Sequence, residues 1–416
     1  MEKQLKKNLL FNTVGSLVFY ICQSAMTILV LALAGSTANG LLATAMTISN
    51  VVVSAAGFGM RTFQVSDLNN HYTDRTYLNS RYITMLMAFV GCGIFAFINS
   101  YSSEQRWIIL LYTAYRLIES WSDVWHGYLQ KAERMDLVGI SFGVRGILTL
   151  IVLVIGLLLT QHLAPILAVL FLSNAVYVLC VDIPFAAKHA NFTAVSKKPL
   201  FELLTECLPL AVCAFLNTAV PSIPRYYCER ILGTTEMGYF ASVFLPVAVL
   251  QVAMIYLFVP FITTFARMWI DRNRLGYYKG LLFLLIGLVV LWGCGAFGVA
   301  LLGRWGLGFL YPNTPELLNY APLLQPLVLA TVLTVLSSVL IHLLTIARAM
   351  KILIASSLAG CLAAWLCSTP LLQQFSIYGA AYATILGIGV QAVVSLVGLL
   401  FWCRLWFAQK EPQSQN

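Results

Sequence analysis

Long apolar runs follow one another from end to end of the chain, broken by brief polar interruptions. A helix needs about 20 consecutive apolar residues to cross a bilayer. The pattern predicts about twelve such helices: 9–34, 39–60, 82–99, 107–129, 137–159, 164–187, 201–224, 237–264, 280–302, 322–346, 352–370 and 377–403. Pro, Gly and charge mark several of the breaks. The longest loop on its side of the membrane, "GRWGLGFLYPNTPELLNYA" at 303–321, is too short for a separate domain. The chain closes on a polar tail, "QKEPQSQN".

Composition agrees with this reading. The chain is 60% hydrophobic and 10% charged, with a mean hydropathy of +0.84. Soluble domains carry roughly 25% charged residues. So much apolar surface has no place in water, and the fold class expected is an all-α integral membrane protein. The net charge of +9 does not call for a nucleic acid, because the basic residues gather in alternate interruptions. Counted that way, roughly nineteen Lys and Arg fall on the side of the N-terminus, the even loops and the C-terminus. Four, Arg106, Arg225, Arg230 and Arg304, fall on the other, so both termini are expected in the cytoplasm. The start, Lys3, Lys6 and Lys7 before a run ending "LALAG", resembles a signal peptide. The apolar run of 9–34 exceeds the 7–15 residues of a signal core, however, and reads as the first span. The ten cysteines are scattered through apolar runs without metal or disulfide spacing. No metal or cofactor site is expected.

The chain also repeats itself. "AGSTANGLLATA" at 34–45 and "LGTTEMGYFASV" at 232–243 share G-x-T-x-x-G-x-x-A: Gly35, Thr37, Gly40 and Ala43, then Gly233, Thr235, Gly238 and Ala241. Each copy joins the first two spans of a six-helix half. That predicts a parallel repeat of two lobes, 1–190 and 191–416, joined by "KHANFTAVSKKP" at 188–199.

Against this apolar background, "YRLIESWSDVWHGYLQKAER" at 115–134 stands out. At about 100° per residue, Arg116, Glu119, Asp123, His126, Gly127, Gln130 and Arg134 share an arc of roughly 100°. Leu117, Val124 and Leu129 lie opposite. Such a stripe costs several kcal/mol per group against lipid, so it faces protein or a watery cavity. Arg116 and Glu119, one turn apart, are expected to pair. Asp123 and Arg145, at similar depths on adjacent spans, are a second expected pair. Two readings remain open for the stripe: an ion-pair cluster that fixes helix register, or a functional cavity. Arg225 follows Pro221 and Pro224 in a span those prolines would bend. It is either a cavity group or a marker of the span's end. Asp182, beside Pro184, is either a proton or cation site or a helix-end carboxylate near Lys188. His126 and His342 read as packing residues, or as proton relays. Glu202 and Glu206 favour a helix N-terminus.

The twelve spans in two halves, together with "GFGMRTFQVSD" at 57–67, "RLIESWSDVWHGYLQKAERMD" at 116–136, "RGIL" at 145–148 and "ERILGTTEMGYFA" at 229–241, resemble the Wzx-type oligosaccharide flippases of the MATE-like MOP superfamily. The resemblance covers essentially the whole chain. It implies two lobes around a central cavity and alternating access in a bacterial inner membrane. The cargo it implies is an undecaprenyl-diphosphate-linked oligosaccharide for surface polysaccharide, O-antigen or lipopolysaccharide. Arg116, Arg145 and Arg225 would then hold the diphosphate through planar guanidinium forks. Glu119, Asp123 and Asp182 would orient them or bind a coupling proton or sodium ion. A polysaccharide polymerase would be a partner. Two rivals remain. A cation or drug antiporter would favour carboxylates and aromatics over arginine. A membrane polymerase or ligase would be an enzyme, and would need outer-face chemistry that the short outer loops supply only sparsely. On the flippase reading the protein is not an enzyme.

Overall fold

The computed structural model describes residues 2–67, 71–190, 192 and 199–408. Most of the joining segment 188–199 and all of the tail, with Lys197, Lys198 and Lys410, lie outside the described residues. The fold is all-helical. In chain order the helices are α1 (Glu2–Gly57), α2 (Met60–Ser66), α3 (Asp74–Ile98), α4 (Ser103–Lys131), α5 (Met135–Leu159) and α6 (Leu163–Tyr177). A π-helical turn, Val178–Asp182, leads from α6 into α7 (Ile183–Ala187). There follow α8 (Leu200–Leu232), α9 (Thr234–Ile270) and α10 (Arg274–Leu310), then a 3₁₀ segment, Pro315–Leu323. The last helices are α11 (Leu324–Ile346), α12 (Met350–Phe375) and α13 (Ile377–Ala408).

Among the described residues, ten stretches are long and apolar enough to cross a membrane. One of them, Lys6–Ser66, holds two predicted spans. Helix α4 does not qualify, because its ionisable residues lower its hydropathy. These two cases account for the difference from the predicted twelve. The predicted loop at 303–321 is mostly ordered helix. α10 runs through Gly303, Gly306 and Gly308 to Leu310, since a glycine costs only about 1 kcal/mol in a helix. Apolar residues face outward at helical spacing, as at Leu282, Ile286, Val289, Phe297 and Leu301 of α10. That face suits lipid, not water.

The chain divides into two compact units. Unit 1 is Met1–Thr218 with Gly233–Ser242; unit 2 is Ala219–Leu232 with Val243–Asn416.

In unit 1, α1 is too long for one crossing. At Gly35 the backbone takes φ 86° and ψ 177°, a region essentially reserved for glycine. The chain reverses there, as its two ends show. Gln23, before the break, bonds Tyr115 at 2.7 Å, and Ser49, after it, bonds Thr113 at 2.7 Å. Both arms therefore meet the same level of α4. Tight backbone approach seats α5 on the first arm: a Cβ at Gly15 would lie 1.8 Å from the Gly139 carbonyl oxygen. The start of α1 is pinned to the α4–α5 turn. Asn8 donates to the Glu133 carbonyl at 2.6 Å, and Lys7 pairs with Asp136 at 3.0 Å.

The repeated motif has a physical role in this unit. Gly233 mirrors Gly35, with φ 92°, and its copy packs directly on the first. Thr37 and Thr235 hydroxyls lie 3.2 Å apart. A Cβ on Gly40 would sit 1.7 Å from the Thr234 carbonyl oxygen, and one on Gly238 would sit 2.1 Å from that of Ser36. Asn39 donates to the Gly238 carbonyl at 3.0 Å and to Ser242 at 2.9 Å.

In unit 2, α12 and α13 close on each other where Gly360 and Gly387 meet. Gln391 donates to Ser357 at 3.2 Å. Trp269 stacks on Trp406 at 5.3 Å, with Arg272 lying over Trp406.

Candidate functional site

The polar stripe of α4 contacts three sets of neighbours, all within unit 1. Its deep end holds Arg116, ion-paired with Glu119 as the i, i+3 spacing predicts. Gln23 of α1 donates to Glu119 at 3.3 Å. From Tyr115 a polar chain runs inward. Its hydroxyl lies 3.3 Å from that of Thr149, Asn174 donates to Thr149 at 3.3 Å, and Arg145 donates to Asn174 at 3.4 Å.

The predicted pairing of Asp123 with Arg145 does not form. Arg145 turns toward α6 and is 1% exposed. Asp123 faces the other way, toward α2 and α3. Its Oδ1 accepts from Arg61 Nη1 at 2.5 Å, and its Oδ2 lies 3.6 Å from Arg81 Nη2. Equal depth on antiparallel neighbours was satisfied; facing was not. Arg61 also donates to Gln130 at 3.1 and 3.3 Å. Arg81, fully buried, donates to the Ala56 carbonyl at 2.9 Å and to Ser120 at 3.1 Å.

The flank of α4 forms a third group with α5 and the π-helical turn. Asp182 does not sit at a helix end with Lys188 as its partner. It is buried, accepts from Ser122 at 2.6 Å, and lies 3.6 Å from His126 Nε2. His126 Nε2 lies 3.1 Å from Ser122 and 3.2 Å from Ser141. Single π turns recur at functional sites, and this one carries Asp182 inward.

In unit 2, Arg225 lies over the Phe244 ring at 4.2 Å. Its Nε is buried without a hydrogen bond, and it forms no ion pair among the described residues. Helix α8 continues through Pro221 and Pro224.

Sequence reasoning passed over Arg61 and Arg81 as mere topology markers. The signal for Arg61 was the break before it, in "GFGMRTFQ". Phe58 (φ 53°) and Gly59 (φ 63°) end α1 and turn the short α2, with Arg61 in its first turn, toward α4. Gln64 follows it in, and a Cβ on Gly127 would lie 2.3 Å from the Gln64 side chain. Arg81 was hidden because the apolar run starts at residue 82, whereas α3 begins at Asp74, capped by Thr73. The α2–α3 turn itself is organised by Asp67. Its carboxylate accepts from His71 N at 2.9 Å, His71 Nδ1 at 3.1 Å, Tyr72 N at 3.0 Å and the Tyr77 hydroxyl at 3.1 Å. Burial alone would raise its pKa, but the donors from Tyr72, His71 and Tyr77 outweigh it and hold it below the usual carboxylate value.

No protein-family model matches the chain. A capsular polysaccharide biosynthesis protein, CapF of Staphylococcus aureus, is 26% identical over 181 residues, 42% of this chain and 44% of that protein. The match therefore spans less than half the length of either. Solved structures match over nearly the whole length. An inward-facing multidrug resistance MATE family transporter of the MOP superfamily superposes with a TM-score of 0.70 at 12% identity, covering 96% of this chain and 98% of that one. The lipid II flippase MurJ, in an inward closed conformation, superposes with a TM-score of 0.65 at 14% identity, covering 94% and 87%. The chain has the MATE/MOP transporter fold.

Proposed function

We propose that the protein carries undecaprenyl-diphosphate-linked oligosaccharides from the cytoplasmic to the outer leaflet of a bacterial inner membrane, for surface polysaccharide synthesis. The two lobes, 1–190 and 191–416, would alternate access to the two sides. The observation that carries this reading is the charge balance of the network around α4. That network sets Arg61, Arg81, Arg116 and Arg145 against Glu119, Asp123 and Asp182, one positive charge in excess. Each of these three carboxylates is engaged by a protein donor. A site for cationic drugs needs an available acid. This arrangement instead offers guanidinium groups, which suit phosphate oxygens. Among the described residues, Arg225 in unit 2 adds a cation without an acid partner. CapF, a protein of capsule synthesis, and MurJ, a lipid II flippase, support the same class of cargo.

In this reading Arg116 meets the diphosphate in unit 1, with Glu119 orienting it, and Arg225 is a separate candidate for a phosphate oxygen in unit 2. Arg145 completes the binding set from its enclosed position, through the chain Asn174–Thr149–Tyr115. Asp182, with His126, is the candidate for a coupling proton. The sugar moves through water-filled space while the prenyl chain stays in lipid. A polymerase would take the product on the outer face.

The test is movement of a lipid-linked oligosaccharide diphosphate across sealed vesicles, with the native chain, Arg116→Gln and Arg145→Gln at equal insertion. The native chain should move the lipid and both variants should stall. Equal movement by all three would remove the α4 stripe from the cargo path. No movement by the native chain, with several sugar donors tried, would favour cation efflux.

A further inference from the structure

Two guanidinium groups converge on one carboxylate at the α2–α3–α4 junction. Arg61 Nη1 is 2.5 Å from Asp123 Oδ1, and Arg81 Nη2 is 3.6 Å from Asp123 Oδ2. The carboxylate satisfies Arg61 but not Arg81. The second distance is too long for a hydrogen bond, and among the described residues Arg81 Nε has no acceptor although the side chain is only 1% exposed. A buried guanidinium with unmet donors is costly, more so than a neutral group. The cluster keeps a positive charge in excess, and its open side is Arg61 and Asp123, with side chains 26% and 32% exposed. A diphosphate spreads the non-bridging oxygens of two tetrahedral phosphorus centres over a larger frame than a carboxylate, so it can serve both arginines at once.

We infer that Arg61 and Arg81 form an anion site for a phosphate or diphosphate group, and that Asp123 is an internal placeholder which the incoming anion displaces. The site lies about 10 Å along α4 from Arg116, seven residues away at 1.5 Å each. It lies toward the end of the helix that carries Lys131, where basic residues crowd. The same device recurs deeper, where Glu119 holds Arg116. An anion moving along α4 would thus exchange with one carboxylate and then the next, and Arg61 and Arg116 would each keep a carboxylate between cargoes. The inference rests on the proposed cargo class and adds a first binding station to it.

The placeholder makes an unusual demand: neutralising an acid must tighten binding of an anion, while neutralising its partner loosens it. The purified full chain in nanodiscs is titrated calorimetrically with inorganic pyrophosphate and, separately, with a short prenyl diphosphate. Asp123→Asn should bind either probe at least about tenfold more tightly than the native chain, and Arg61→Gln at least about tenfold more weakly. Arg61→Lys, which keeps the charge but loses the fork, should fall between them. Arg81 is fully enclosed and its loss risks the fold, so partly exposed Arg61 and Asp123 carry the test, with thermal melts confirming folding. Unchanged or weaker binding by folded Asp123→Asn overturns the placeholder; unchanged binding by Arg61→Gln overturns the site. If Arg116→Gln still stalls transport in either case, the proposed function stands without this station. Binding of pyrophosphate but not of the prenyl diphosphate would keep the anion site and assign it to free phosphate, against the flippase reading.

Discussion

Thr37 and Thr235 hold the same place in the two copies of the repeated motif, and their hydroxyl oxygens lie 3.2 Å apart. The contact reports directly on whether the two copies part during transport. With cysteine at both positions, oxidation should form an intramolecular disulfide, mapped by fragmentation with each single variant as control. On the alternating-access reading the oxidised double variant stops moving cargo, and reduction restores it. Undiminished transport by the oxidised form would show that the copies stay joined throughout the cycle.

Gly40 lies so close to the Thr234 backbone, and Gly238 to that of Ser36, that neither tolerates a methyl group in place. Gly40→Ala and Gly238→Ala should each destabilise by about 1–3 kcal/mol through overpacking. The double variant should cost clearly less than the sum, because helices forced apart by the first methyl group make room for the second. Melting curves of the four proteins in detergent decide this. Additive losses would mean that the two glycines do not share one contact.

Asp182 is the shared partner of Ser122 and His126 in an enclosed pocket. Asp182→Ala should lower stability by about 2–4 kcal/mol, since it strands buried polar groups. Asp182→Asn keeps an acceptor for Ser122 and should cost less. If the alanine variant melts with the native chain, the network is not part of the packing. If transport of the asparagine variant loses its dependence on a proton gradient, Asp182 carries the coupling proton.

The α2–α3 turn should soften in acid. Asp67 has its pKa held below the ordinary carboxylate value, by donors from Tyr72, His71 and Tyr77 acting against burial. A depressed native pKa adds stability above the unfolded value, near about 3.9, and loses it as pH falls through the folded one. The protection factors of amides at residues 60–67 and 71–77, with the intrinsic slowing of exchange in acid divided out, should therefore fall as pH drops below about 4. In Asp67→Asn exchange should already be fast at neutral pH, with less further change in acid. Equal profiles for the two proteins would show that Asp67 does not hold the turn.

Much of this architecture was legible because bilayer thickness imposes a long, coarse period on the sequence. The spans, the charged stripe of α4 and the Arg116–Glu119 pair all follow from local spacing. What escaped depends on facing. Asp123 and Arg145 have matching depths but point to different neighbours, a choice made by how α4 rolls against α2, α3, α5 and α6. Arg61 and Arg81 looked like boundary charges because hydropathy ends a span where the apolar run ends. The helices continue beyond that point, and the break at Phe58 and Gly59 brings α2 back to α4. Asp182 looked like a helix end because nothing in "LCVDIPF" announces the π turn that carries it inward.

The paired motifs also have a consequence for how the chain tolerates change. In a symmetric homodimer a surface that meets its own copy is bound to remain identical on both sides. Here the same self-complementary face is written twice in one polypeptide, at 35–43 and 233–241, so the sides can differ. They already do. Asn39 donates two hydrogen bonds across the contact, while its counterpart, Met237, is a buried apolar side chain. Across the contact the 35–43 copy supplies the Asn39 donor and the 233–241 copy the Gly238 acceptor, an asymmetry closed to any two-fold dimer.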